Sequence, residues 1–149
     1  MFPTLNPALQ AQINGVNNSN TENNTTELGR SFLFDFGTGQ FIMRDGRLVD
    51  TNKAQAISQW ISLCIRTFID KYKVYKDTGF GTHLEKIINK KLNVFYKTTI
   101  NSDLKEALIK NNQIKSVNNI QLTKENDKLN ISAQVKLVDG SILDVEEAV

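Results

Sequence analysis

Residues 51–92 read TNKAQAISQWISLCIRTFIDKYKVYKDTGFGTHLEKIINKKL, and this stretch decides the fold. A threonine side chain can accept a hydrogen bond from an otherwise unpaired helix N–H, so the reading starts a helix at Thr51. Ala54, Ile57, Ile61, Cys64, Ile65 and Phe68 follow at helical spacing and form one apolar stripe. Burying the larger of these side chains is worth ~1.5–3 kcal/mol each before chain entropy is subtracted. This is the predicted core helix. A second helix is expected to open at Thr82-His83-Leu84-Glu85, with Thr82 and Glu85 as a reciprocal capping box. Between them runs YKVYKDTGFG, residues 72–81, where Gly79 and Gly81 let the backbone turn sharply before Thr82.

On the N-terminal side, Ser31 to Phe36 reads as a strand with Phe32, Phe34 and Phe36 on one face. Gly37-Thr38-Gly39 turns the chain, Gln40 to Arg44 returns it, and Asp45-Gly46 offers a second tight turn before Arg47-Leu48-Val49. On the C-terminal side, Leu92 to Phe95 is a short connection. A third helix is expected from Thr98 or Thr99 to Lys110, with Ile100, Leu104, Ala107 and Leu108 inward. Asn111-Asn112 would end it in a left-handed turn. Val117 to Leu122 makes a strand and Glu125 to Lys128 a turn. Leu129 to Leu137 alternates, Asp139-Gly140 demands a hairpin, and Ser141 to Val145 is the last strand. The predicted class is α+β: an N-terminal β-meander, three central helices, and C-terminal antiparallel β-hairpins forming one mixed sheet packed by the helices.

That domain covers residues 30–149. Residues 1–29 are rich in asparagine and threonine, lack lysine and arginine before Arg30, and are expected to form a flexible arm. The arm carries Phe2, Leu5, Leu9 and Ile13. A chain of 149 residues fits one domain with a real core. Its 40% hydrophobic and 23% charged content fits an ordinary soluble protein. No apolar run approaches the ~18 residues of a membrane helix, and the start shows no secretory-signal pattern. Cys64 is the only cysteine, which excludes an intrachain disulfide and a cysteine metal cluster. A formal charge of +2 is too small to argue for nucleic acid. The charge is uneven, however. Arg66 to Lys97 is basic, and Asp139, Asp144, Glu146 and Glu147 make the tail acidic. Such an arrangement either docks subunits head to tail or forms two solvated faces.

Catalytic chemistry finds no footing. The single histidine, His83, has no nucleophile motif beside it. Nothing supports catalytic zinc or EF-hand calcium. Gly79-Phe80-Gly81 is not followed by the Gly-Lys-Ser/Thr of a phosphate loop. A glycosidase needs two carboxylates flanking a cleft, for which Glu85 with Asp77 or Asp70 are the candidates. The capping box and turn chemistry already account for them. Tyr72, Tyr75 and Phe80 beside lysines suit base stacking, but read better as core and rim of the connector. No catalytic, cofactor-binding or metal-binding residue is assigned, and no cofactor.

The order of elements resembles the small baseplate wedge proteins of contractile phage tails, the sheath-initiator family, in the form found in Gram-positive prophages and tail-like bacteriocin particles. The resemblance runs from residue 31 to about 147 and rests on several short pieces. These are Phe34-Asp35-Phe36-Gly37-Thr38-Gly39, Gln59-Trp60-Ile61, then Tyr72, Tyr75, Asp77, Gly79 and Gly81, with Leu84-Glu85 following. Broader relatives carry a Gly-Glu-Arg type of segment after the first helix. Here Phe68-Ile69-Asp70-Lys71-Tyr72 stands there, so no role of that glutamate and arginine carries over.

The resemblance implies a non-enzymatic virion component that joins baseplate to sheath and initiates sheath assembly by offering a strand edge for β-augmentation. It implies the tail sheath protein, baseplate wedge proteins and tube or hub proteins as partners, with no membrane and no nucleic acid. The resemblance also implies roughly six copies per particle, from the family's sixfold architecture, and assembly in the bacterial host cytoplasm. Strands 129–137 and 141–147, with Leu137, Ile142, Leu143 and Val145, are the expected sheath contacts. Phe2, Leu5 and Leu9 are expected to reach a wedge or tube neighbour. The rival readings are a peptidoglycan-cleaving, lysozyme-like tail enzyme and a basic nucleic-acid-binding module.

Overall fold

The computed structural model describes residues 30–149. The expected arm, with Phe2, Leu5 and Leu9, lies outside the described residues. The core helix, α1, spans Lys53–Arg66. It starts two residues later than Thr51 because Asn52, not Thr51, is its cap. The Asn52 carboxamide oxygen accepts from Gln55 N–H at 2.8 Å, and the Gln55 side chain accepts from Asn52 N–H at 3.0 Å. Thr51 instead binds backward, its N–H and hydroxyl both donating to Ser31 O. Ile57, Ile61, Cys64 and Ile65 form the buried stripe. Ala54, expected on that stripe, is exposed. Phe68 lies past the helix end and packs half-buried against the core.

The second predicted helix is not a helix. Its residues make one 3-10 turn, Leu84–Lys86, and another short 3-10 turn, Lys73–Tyr75, sits in the connector. Thr82 does not cap: it is fully buried and its hydroxyl donates to Ile65 O. Glu85 pairs with Lys71 Nζ at 2.9 Å instead. The cause is tertiary. The connector returns to the end of α1, with Thr82 N–H donating to Thr67 O (2.9 Å) and Ile69 N–H to Thr82 O (3.0 Å). Backbone committed to that parallel bridge, Phe68 to Thr82, cannot also form a helical first turn.

The second α-helix, α2, is Val94–Ile109, capped by Asn93, whose side chain accepts from Tyr96 N–H at 2.9 Å. It begins earlier than Thr98 because Asn93 supplies that cap, while Val94 and Phe95 are exposed and add no signal to the apolar stripe. Its inward residues are those expected: Ile100, Leu104, Ala107 and Leu108. Asn111 and Asn112 do not adopt the left-handed conformation expected there.

The strands divide into separate sheets. At the N-terminus, β1 (Phe34–Asp35) pairs with β2 (Gln40–Phe41), and β3 (Met43–Arg44) with β4 (Arg47–Leu48), as two short ribbons. The anticipated continuous meander is not confirmed. At the C-terminus β5 (Ile114–Glu125), β6 (Lys128–Leu137) and β7 (Ile142–Ala148) form one antiparallel sheet in that order. The sheet is therefore antiparallel, not mixed. Leu129, Ile131, Ala133, Val135 and Leu137 of β6 point inward with period two. They form one core with Val117, Leu122, Val145 and the helix stripes. α1 packs along β7 and α2 along β5, so among the described residues the helices cover one face of the sheet and leave the other open.

Two local features anchor this arrangement. Gly81 has φ +113°, and a Cβ there would sit 2.5 Å from Thr67 O. Gly81→Ala is expected to cost at least about 1–3 kcal/mol from strain alone, read as a lower denaturant midpoint with an unchanged slope. The β6–β7 turn is pinned by Asp139. It accepts from the Ser141 hydroxyl, from Ser141 N–H (2.9 Å) and from Lys53 Nζ (3.2 Å), which holds its carboxyl down at about 2 instead of 3.8. The folded chain thus binds this proton less tightly than the unfolded chain. The contribution is full above 3.8 and is lost as the pH falls through about 2. Asp139→Asn should therefore be less stable than the native chain at neutral pH, and the gap in urea midpoints should close across that acid window.

Candidate functional site

Among the described residues, β7 has a partner on one side only. Leu129 and Val149 exchange both backbone hydrogen bonds, at 2.8 and 2.9 Å. Hydrogen-bonded pairs alternate in an antiparallel ladder, so Ile131–Glu147, Ala133–Val145 and Val135–Leu143 are the bonded pairs that follow. The remaining residues, Ile142, Asp144, Glu146 and Ala148, aim their N–H and C=O groups away from β6. They form a row of donors and acceptors along a free edge. The row is regular, because β7 pairs with β6 without a register shift.

The opposite edge, β5, differs. Its register slips between Ile114 and Ser116 and again between Asn118 and Gln121, where Asn119 adopts φ +50°. Such bulges twist an edge and disrupt its hydrogen-bonding row. They also explain why the inward residues of β5, Ile114, Val117 and Leu122, break strict alternation. Of the two edges, β7 alone offers an uninterrupted template.

The four expected sheath-contact residues split. Leu137 (1% exposed) and Val145 (7%) belong to the core, and Leu143 packs half-buried against it. Only Ile142 stands open, at 60%. The alternation of the strands points the other three toward the helices. The groups that an added strand would meet are main-chain atoms, which hydropathy does not register. On the open face Asn119 Nδ2 donates to Gln134 Oε1 (2.7 Å), and Gln134 Nε2 donates to Asp144 Oδ1 (3.1 Å), tying all three strands together.

The acidic tail and basic middle meet partly within the chain. Glu147 receives Arg66 Nη2 at 2.9 Å and also the Ser62 hydroxyl, which fastens β7 to α1. Lys53 holds Asp139. Neither the head-to-tail nor the two-solvated-faces reading anticipated these pairs.

The other flank of α1 carries the N-terminal ribbons. Gln59 Oε1 accepts from Phe34 N–H (2.6 Å) and Gln59 Nε2 donates to Phe32 O (2.9 Å), so one side chain completes the backbone pairing of that segment. Periodicity gives no hint of this role. Phe32, Phe34 and Phe36, expected on one face, line an apolar groove of about 570 Å³ together with Phe41, Ala56, Trp60 and Leu63.

The residues weighed for catalysis are otherwise engaged. His83 Nδ1 lies 2.7 Å from Asp103 Oδ1, and His83 N–H donates to Asp103 Oδ2, so the pair staples the connector to α2. Asp70 and Asp77 occupy left-handed turns, and Asp77 N–H donates to Asp70 Oδ1. Cys64 is buried, and burial pushes its thiol up to about 11. Tyr75 and Phe80 stack with each other at 4.8 Å, and Phe80 meets Trp60 at 5.6 Å. Among the described residues no group of three or more His, Cys, Asp or Glu side chains can hold a metal ion. No helix there is long and apolar enough to cross a membrane.

The model of the contractile injection system sheath initiator family matches residues 30–140, most of the chain. The chain belongs to the sheath-initiator family. Sheath initiators are structural components of contractile injection systems, not enzymes. The matched span of this sheath initiator takes in both ribbons, both helices, β5 and β6. It ends in the turn after β6, so β7 follows it. No curated protein matches this sheath initiator.

Replacing Gln59 by Ala should free the N-terminal ribbons without unfolding the sheet. Amide exchange at Phe34 should accelerate while exchange at Ile131 and Val135 stays slow. Equal acceleration at all three would show that Gln59 supports the whole fold instead.

Proposed function

We propose that this sheath initiator is a baseplate component that joins the baseplate to the contractile sheath and starts sheath assembly by accepting a strand along β7. The observation that carries the reading is the unbulged outward row of Ile142, Asp144, Glu146 and Ala148, on a sheet whose other edge is broken. An open regular edge invites self-association unless a partner covers it. Main-chain hydrogen bonds from an extended segment of the sheath subunit would supply affinity. Asp144 and Glu146 lie on this strand and face the open side of the sheet. An incoming strand with lysine or arginine opposite them gains ~0.2–1 kcal/mol per pair. Wedge proteins would hold the body of the domain, leaving the edge free for the first sheath ring.

Proline separates edge pairing from fold. At Asp144 or Glu146 it removes an outward N–H and leaves the β6–β7 ladder intact. At Val145 it removes an inward N–H and breaks that ladder. The Asp144→Pro and Glu146→Pro variants should keep native thermal stability within a few degrees yet lose co-purification with the sheath subunit of the same particle. Sheath capture as efficient as the native chain's by both variants would sink strand addition at β7.

A further inference from the structure

We infer that the apolar groove between α1 and the N-terminal ribbons is the docking site of this chain's own first residues, with Phe2, Leu5, Leu9 and Ile13 filling it. The groove is open: of its lining, Phe41 is 53% and Leu63 37% exposed. A contiguous patch of that kind on one face marks a surface that something covers.

Three observations choose the occupant. First, the chain leaves the described residues at the groove itself. Arg30 and Ser31 line it, and Arg30 is held there by Asp50 at 2.8 Å and by the Phe32 ring at 5.2 Å. Second, residues 1–13 contain no charged side chain, while Phe2, Leu5, Leu9 and Ile13 are spaced by three, four and four residues. An uncharged apolar segment gives up no charge solvation on entering such a groove. Third, the link from Ile13 to Arg30 is polar and long enough. A chain of that length reaches at most about 55 Å when fully extended. Tethering raises the local concentration of the segment to the millimolar range, above that of a free competitor.

Trp60, the only tryptophan, lines the groove and reports its occupancy. The test compares the full-length native chain with a full-length variant carrying Phe2→Ser, Leu5→Ser, Leu9→Ser and Ile13→Ser. The variant should show a red-shifted Trp60 emission and steeper acrylamide quenching, with unchanged far-ultraviolet circular dichroism. Ala56→Glu, which obstructs the groove from α1, should give the same change. Emission and quenching identical in the native and four-serine chains overturn the proposal. So does Trp60 shielding that fades on dilution together with a dimeric mass, which assigns the groove to a second copy. Shielding that appears only on adding the sheath subunit also overturns it, in favour of that partner.

Discussion

Burial of Ile57, Ile61, Cys64 and Ile65 beneath the C-terminal sheet is the contact on which the rest of the molecule depends. Those side chains commit one face of α1 to the core, and that commitment fixes what its two flanks can reach. On one flank Ser62 and Arg66 hold Glu147 of β7. On the other, Gln59 completes the hydrogen bonding of the segment that precedes β1. At its end Thr67 receives the returning connector, an approach so close that only glycine fits at position 81. One helix therefore organises the sheet, the ribbons and the connector. Loss of its register would disturb all three together.

The sheet itself carries an asymmetry that bears on assembly. Its two edges are made from similar polar and aliphatic residues, yet β5 is bulged twice and β7 is not. A bulge costs a strand its usefulness as a template, because the outward donors and acceptors no longer repeat at a constant interval. The helices cover one face only, and Glu147 with Asp139 clamp β7 to α1 from below and from its leading turn. Both ion pairs hold β7 against α1. Preorganisation of that kind would reduce the entropy lost on the strand addition proposed above.

Much of the fold was legible because its signals are local. The inward residues of α2, the alternation of β6, the three phenylalanines on one face and the turns at Glu125–Lys128 and Asp139-Gly140 all follow from spacing within a few residues. The family was legible too, from the order of short pieces along the chain. The false second helix arose from the same locality: Thr82-x-x-Glu85 is a sound capping signal, and nothing nearby announces that Thr82 will be buried against Ile65 O. Choosing Thr51 over Asn52 as the cap failed for a related reason, since Thr51 is drawn back toward Ser31.

The candidate site shows where spacing stops. Sequence named side chains on β6 and β7, of which Leu137, Leu143 and Val145 pack toward the helices, while the regular edge is made of main-chain groups. By itself the sequence determined which residues are apolar, at what period, and hence that helices would pack against C-terminal hairpins. Only the tertiary structure decided which strand is left at an edge, which edge stays unbulged, and that Gln59 would serve as a surrogate backbone partner. Strand order and edge regularity depend on contacts between residues far apart in the chain. Hydropathy, read one neighbourhood at a time, carries no record of them.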